Sequence, residues 1–239
     1  ALTAVSAATR AEEILAVEST KARQAKKQDS YQEGIVLKDV YFSYEGRKEV
    51  LHNINIEIEK SKTTALVGLS GCGKSTIASM LMKFIYPSSG AVYLNGIDYA
   101  CMNREEIGRH IVMVPQTVNL FNDTIRNNLL LANPLANDEQ LWQVLHEVSL
   151  DKHIERMPNG LDTMVSESGS NLSGGQKQMM GIARALLTDA EYIIFDEATS
   201  AVDPESEKII WDCIDKLSKK RTLIIISHRL SAIRNADQI

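Results

Sequence analysis

The stretch from Gly68 to Thr76, GLSGCGKST, constrains this chain more than any other. It follows the apolar run Ala65-Leu66-Val67 and precedes a helical pattern carrying Ile77, Ala78, Met80 and Leu81. A glycine, four residues, then Gly73-Lys74-Ser75 is the spacing of a phosphate-binding loop between a strand and a helix. The glycines let the backbone turn and bring several N–H groups to one point, and the positive end of the following helix faces the same point. Lys74 adds a point charge for β- and γ-phosphates, and the Ser75 hydroxyl is placed to ligate Mg²⁺. An α/β chain that binds a nucleotide is the expectation from this stretch alone.

The rest of the chain narrows that expectation. At 239 residues and 44% hydrophobic it is long enough to bury a sizeable core. A formal charge of −5 argues against a nucleic-acid partner held by bulk charge. Cys72, Cys101 and Cys213 lack metal-ligand spacing, and an odd number of scattered thiols suits a reducing compartment. No apolar run approaches the length needed to span a bilayer. The sequence opens on Ala1 and ends on Ile239 without a stop signal, so it reads as a piece of something longer.

Residues 1–28 read as a helix, TRAEEILAVE, followed by the charged linker KARQAKKQ. From Ile35 the period changes to that of strands. Ile54, Ile56 and Ile58 alternate with Asn55, Glu57 and Glu59, and Asn95-Gly96 marks a hairpin after Val92 and Leu94. These predict an antiparallel sheet flanking the strand that precedes the loop. Residues 111–114, IVMV, form a short buried strand ended by Pro115 and Gln116, and Leu141, Val144, Leu145 and Val148 make one helical face behind an N-cap at Asn137 or Asp138. A helix with Ile182, Leu186 and Leu187 follows a Gly/Ser/Asn loop. Two all-apolar strands, Tyr192–Phe195 and Thr222–Ile226, fit a parallel sheet covered on both faces. The helix between them turns Ile209, Ile210, Cys213, Ile214 and Leu217 inward. The fold class expected is α/β: a mostly parallel nucleotide-binding core, an antiparallel β part and a helical insertion.

Asp196 and Glu197 end the strand YIIFDE, where open α/β sheets bind ligands. One carboxylate there can hold Mg²⁺ and the other can take a proton from an attacking water. LSGGQ, Leu172–Gln176, puts small residues at a second helix start and so makes a second anion site. Taken together, the phosphate-binding loop, LSGGQ, IIFDEATSAVD and ISHRL resemble the motif set of the ATP-binding cassette (ABC) ATPases over residues 35–239. DEATSAVD and the N-terminal tail, which resembles the foot of a last transmembrane helix, look like the exporter branch.

The resemblance implies roles for particular residues. Tyr44 matches the aromatic that stacks on adenine, worth ~1–3 kcal/mol for a base on an aromatic ring. Gly68, Ser70, Gly71, Cys72, Gly73, Lys74, Ser75 and Thr76 line the phosphates of ATP. Ser75, Gln116 and Asp196 complete the Mg²⁺ shell, with Gln116 also the link to the membrane part. Glu197 is the general base, His228 the switch histidine at the γ-phosphate, and Lys74 the third catalytic group. Ser173, Gly174, Gly175 and Gln176 contact the γ-phosphate of a nucleotide held by a partner cassette, and Ser200 and Asp203 lie in the loop coupling the two sites. The implied domains are a helix foot and linker over 1–30 and an ABC ATPase over 31–239, cut short at its C-terminal end with a sheet edge unfinished. The implied assembly is a head-to-tail homo- or heterodimer of cassettes joined to a transmembrane domain of the same chain, at the cytoplasmic face of the cell membrane. Its function is ATP hydrolysis driving export, with cargo chosen by the membrane part and no nucleic acid involved.

Two places depart from the family's pattern. ESGSN precedes LSGGQ, so Glu167 is kept but Ser168 replaces an Arg, and Asn122-Asp123 stands where Ser-Gly is usual. Both lie in loops that read the membrane domain. Rival readings are a soluble ABC ATPase and a regulatory one that does not hydrolyse ATP. The soluble type inserts a long coiled coil between Lys74 and Ser173, for which this chain has no room, and the regulatory type usually lacks Glu197 or His228.

Overall fold

A computed structural model describes residues 33–46, 48–166, 169–200, 202–228 and 236–239. The helix and linker expected over the first 28 residues lie outside the described residues, as do Glu167, Ser168 and the last two residues of ISHRL.

Alternating side chains decide how the layers stack. The strands β3 (Thr63–Leu66), β6 (Ile111–Val114), β7 (Tyr192–Asp196) and β8 (Thr222–Ile226) form a parallel sheet in the order β3-β8-β7-β6. Along β7 and β8, Ile193, Phe195, Leu223 and Ile225 enter one apolar cluster, while Tyr192, Ile194, Ile224 and Ile226 enter another. A period of two thus feeds a core on each face, and the parallel sheet is the middle layer.

On one face sits the antiparallel sheet, β1 (Gly34–Ser43), β2 (Glu49–Glu59), β4 (Ser89–Leu94) and β5 (Ile97–Asp98), in the order β2-β1-β4-β5. It is a separate sheet, packed through Ile35, Leu37, Val40, Val92 and Leu94 on the same cluster as helix α1 (Lys74–Leu81). The hairpin expected at Asn95-Gly96 joins β4 to β5, and both turn residues have positive φ (49° and 78°), the requirement of a tight two-residue turn. The Asn95 side chain accepts from Gly34 N (3.0 Å) and from the Tyr192 hydroxyl (2.8 Å), so this turn also pins the antiparallel sheet to the first residue of β7.

α2 (Arg104–His110) leads into β6 and buries Ile107 in the cluster shared with the antiparallel sheet. Helices cover the other face, where α3 (Ile125–Leu130), α4 (Asp138–Glu147) and α5 (Asp151–Glu155) form the insertion, and α6 (Gly174–Leu187) and α7 (Pro204–Ser218) pack on the sheet. Their starts are written in the sequence. Asn103–Glu106, Asn137–Gln140 and Ser173–Gln176 are reciprocal capping boxes, and Asp203 caps α7 ahead of Pro204. The β3 edge is not bare, since Asp237 N and Gln238 N donate to Thr63 O and Ala65 N donates to Gln238 O (2.8 Å).

Gly181 lies inside α6, where glycine ordinarily weakens a helix by about 1 kcal/mol relative to alanine. Its reason is contact: a Cβ there would meet Val118 Cγ2 at 2.5 Å. Gly181→Val gains a few tenths of a kcal/mol of helix propensity and loses about 1–3 kcal/mol to overpacking, so a lowered thermal midpoint is expected. A melting curve unchanged or raised would show that the Val118 segment can yield.

Candidate nucleotide-binding site

The loop between β3 and α1 is shaped by its glycines and closed by its lysine. Gly73 caps α1 at φ 98°, and a Cβ at that position would also lie 2.6 Å from Leu51 Cδ2, so an L side chain is excluded twice over. Lys74 is 8% exposed; its Nζ donates to Gly68 O (2.8 Å) and Leu69 O (2.9 Å) and lies 3.8 Å from Cys72 Sγ. The ammonium is therefore held beneath the loop, while Gly68, Ser70, Gly71, Cys72 and Ser75 remain exposed. Thr76 is buried, and its hydroxyl meets the Tyr44 hydroxyl at 3.3 Å. Tyr44, 39% exposed, stands edge-on to Phe42 with its ring beside the first turn of α1, so a free aromatic surface borders the loop.

The order β3-β8-β7-β6 sets the other residues. β7 is flanked by β6 and β8, so the residues following all three strands converge at one edge. Gln116, two residues past β6, donates from Nε2 to Ser200 Oγ (3.0 Å) and approaches Glu197 Oε2 at 3.4 Å. His228, two residues past β8, brings Nδ1 to 3.4 Å from Glu197 Oε1. Glu197 itself has φ 49°, an unfavourable conformation for a side-chain-bearing residue, held by its N–H on Ile226 O (2.9 Å) and by Ser200 N on its carbonyl (3.0 Å). Burial, and next the charge of Glu197, raise the pKa of Asp196 above the ordinary carboxylate value, with Lys74 pulling the other way. A divalent cation beside Asp196 would relieve that penalty. The hydroxyl of Ser75, the amide of Gln116 and the carboxylate of Asp196 are hard oxygen donors of the kind Mg²⁺ takes, so the residues present fit such an ion.

Ser173–Gln176 forms a second helix start. Ser173 Oγ accepts from Gln176 N (3.2 Å) and Gln176 Oε1 accepts from Ser173 N (2.8 Å). Among the described residues none of the hydrogen bonds of Ser173, Gly174, Gly175 or Gln176 goes to the Gly68–Thr76 loop. Asp203 accepts from Ser206 N (3.0 Å), and these backbone bonds hold its carboxyl below the usual value.

Sequence reasoning passed over three polar residues that the fold draws inward, Gln178 and Asn128 buried and Arg184 half-buried. Gln178, 3% exposed, donates to Pro115 O at 3.0 Å. Arg184 donates to Asn119 O (2.8 Å), Asn128 O (2.8 Å) and Asn128 Oδ1 (2.6 Å), and Asn128 is fully buried. For Gln178 and Arg184 the signal available was their place on a helix otherwise rich in Met, Ile, Ala and Leu, whereas Asn128 lies on the short α3.

Residues 51–200 match the family described as "ABC transporter". The chain is 46% identical over 205 residues to the ATP-dependent lipid A-core flippase of Vibrio cholerae, covering 85% of this chain and 35% of that protein. It is 42% identical over 207 residues to P-glycoprotein 14 of Caenorhabditis elegans, covering 86% of this chain and 16% of that one. It also superposes, with a TM-score of 0.83 and 33% identity, on the structure of a bacterial Atm1-family ABC exporter with ATP bound, over 95% of this chain and 41% of that one. The chain thus spans about a third of the length of the curated flippases it matches. It belongs to the ABC transporter family, as a nucleotide-binding ATPase domain of the exporter type.

Proposed function

We propose that this domain binds MgATP between the Gly68–Thr76 loop of one copy and the Ser173 helix start of another, hydrolyses it, and so drives export through a transmembrane part of the same chain at the cytoplasmic face of a membrane. The observation that carries the chemistry is the convergence on Glu197: a carboxylate at a parallel-sheet edge, with Gln116 and His228 each 3.4 Å from one of its oxygens. In this reading Glu197 accepts a proton from the water that attacks the γ-phosphorus, and His228 and Lys74 hold the γ-phosphate. Ser75, Gln116 and Asp196 would hold Mg²⁺, which would offset phosphate charge. Tyr44 stacks on the adenine. The soluble and regulatory readings are less well supported, since the relatives are flippases and exporters and both Glu197 and His228 are in place.

The dimer reading rests on the Ser173 turn, an anion-binding helix start with no phosphate-binding loop of its own chain bonded to it. A linked pair of transporter chains tests it. In a head-to-tail pair, Lys74→Met and Ser173→Arg on the same copy damage both sites, whereas one change on each copy leaves one whole site. If each chain builds its own site, the two arrangements give the reverse result, and trapped nucleotide per pair reads the difference.

Cys72 supplies a second expected outcome. It is exposed in the loop, whereas Cys101 is half-buried and burial pushes the Cys213 thiol up to about 11. A maleimide should therefore reach Cys72 first and block ATP binding by bulk, with Cys72→Ala resistant. Full ATP hydrolysis after complete Cys72 modification would contradict this placement of the phosphates.

A further inference from the structure

Three residues of α6 spaced three apart, Gln178, Gly181 and Arg184, lie along one flank of the helix and grip successive points of the segment after β6. Gln178 Nε2 donates to Pro115 O at 3.0 Å, immediately before Gln116. Gly181 lets Val118 approach so closely that a Cβ would be 2.5 Å away. Arg184 donates to the carbonyls of Asn119 and Asn128. The segment is also tied to itself, since Asn128 bonds both the N–H and the carbonyl of Phe121. By contrast, the bonds of the Gln116 side chain go forward to Glu197 and Ser200. The grip is polar at both ends and buried at Gln178, so sliding the segment along α6 would orphan Pro115 O and the Asn119 and Asn128 carbonyls.

We infer that Gln178 is a positioning residue for Gln116: with Gly181 and Arg184 it fastens residues 115–128 to the helix that begins at Ser173, so that this helix and the Gln116 side chain move together. The inference rests on the reading above that Gln116 belongs to the Mg²⁺ shell. Its consequence is a mechanical one. A phosphate contacted at the start of α6 shifts the helix, and the Gln178 bond carries that shift to Gln116, beside Glu197. No contact between Gln178 and the nucleotide is needed. What Gln178 holds is a backbone carbonyl one residue from a metal ligand, and losing such an outer partner commonly lowers metal affinity or activity by about 10–100-fold.

The test uses Gln178→Met in the intact transporter, which keeps length and apolar bulk and removes the donor. ATP binding in the presence of a chelator should stay within about twofold, because the loop and Tyr44 are untouched. The gain in nucleotide affinity on adding Mg²⁺ should shrink by about tenfold or more, with kcat falling and KM for ATP little changed. Gln116→Ala and the double variant are measured alongside. If Gln178 acts through Gln116, the double variant matches Gln116→Ala alone, whereas independent roles add. Gln178→Glu, isosteric and without the donor when ionised, serves where the methionine variant does not fold. Mg²⁺ dependence unchanged in a folded Gln178 variant while Gln116→Ala shifts it would overturn the clamp and leave the site reading intact. Unchanged Mg²⁺ dependence in Gln116→Ala would instead remove Gln116 from the metal shell, and the inference with it.

Discussion

Glu197→Gln in the intact transporter is expected to lower steady-state ATP hydrolysis by about 10²–10⁴-fold while ATP still binds. The substitution is nearly isosteric, and what it removes is the ability to accept a proton. Its backbone restraints do not involve the side chain, since the N–H remains on Ile226 O and the carbonyl remains available to Ser200 N. The neighbours are also undisturbed: Gln116 approaches from one side at 3.4 Å and His228 from the other at the same distance. A loss of 10³ corresponds to about 4 kcal/mol of transition-state stabilisation, far more than one exposed hydrogen bond supplies. The effect therefore separates a proton acceptor from a residue that merely braces the loop. Single-turnover hydrolysis and a filter-binding measurement of ATP together decide it. A rate within threefold of the parent would take Glu197 out of the proton-accepting role and leave the work to His228.

Much of this arrangement could be read from residue order, for reasons that differ from part to part. The phosphate-binding loop is legible because its physics is local: Gly73, Lys74 and Ser75 act within a few residues of each other. The β7 and β8 strands are legible because burial on both faces leaves nothing but apolar residues in them. The Asn95-Gly96 turn announces its backbone angles through its composition. Short helices were harder. α2 escaped the periodicity reading because it buries little beyond Ile107, although the Asn103–Glu106 capping box marks its start. Sheet order is another matter. That β7 lies between β8 and β6, which alone brings Gln116 and His228 to the two sides of Glu197, depends on long-range pairing that no window of sequence contains. The same is true of Lys83, 7% exposed, whose ammonium donates to the carbonyls of Tyr99 and Met102 at the far end of α1. A lysine there reads as a solvated helix end, and its burial lowers its pKa below the ordinary lysine value.

Asn128→Leu is expected to lower stability by about 3–5 kcal/mol, the largest structural effect among the single changes considered, because one side chain answers so many groups. Asn128 is fully buried. Its Nδ2 donates to Phe121 O (3.0 Å), Asp123 O (3.3 Å) and Thr124 O (2.9 Å), and its Oδ1 accepts from Phe121 N (2.9 Å) and from Arg184 (2.6 Å). Leucine has nearly the same size, so little of the loss is cavity. The loss is the orphaning of the Phe121 N–H and of one guanidinium N–H, while the carbonyls of Phe121, Asp123 and Thr124 each lose one of two donors. Burial already pulls the Arg184 guanidinium below its ordinary pKa, and guanidinium stays charged, so removing an acceptor leaves a charge less well answered. For a domain of this size the change amounts to roughly 6–20 °C in thermal midpoint. Arg184→Met should weaken the same unit, and the double variant should lose less than the two single changes together, because each has already undone part of the other's bonding. Calorimetry of Asn128→Leu, Arg184→Met and the pair measures both claims. A midpoint within about 2 °C of the parent for Asn128→Leu would mean that water enters and satisfies the loop, and that the segment is not held by this side chain.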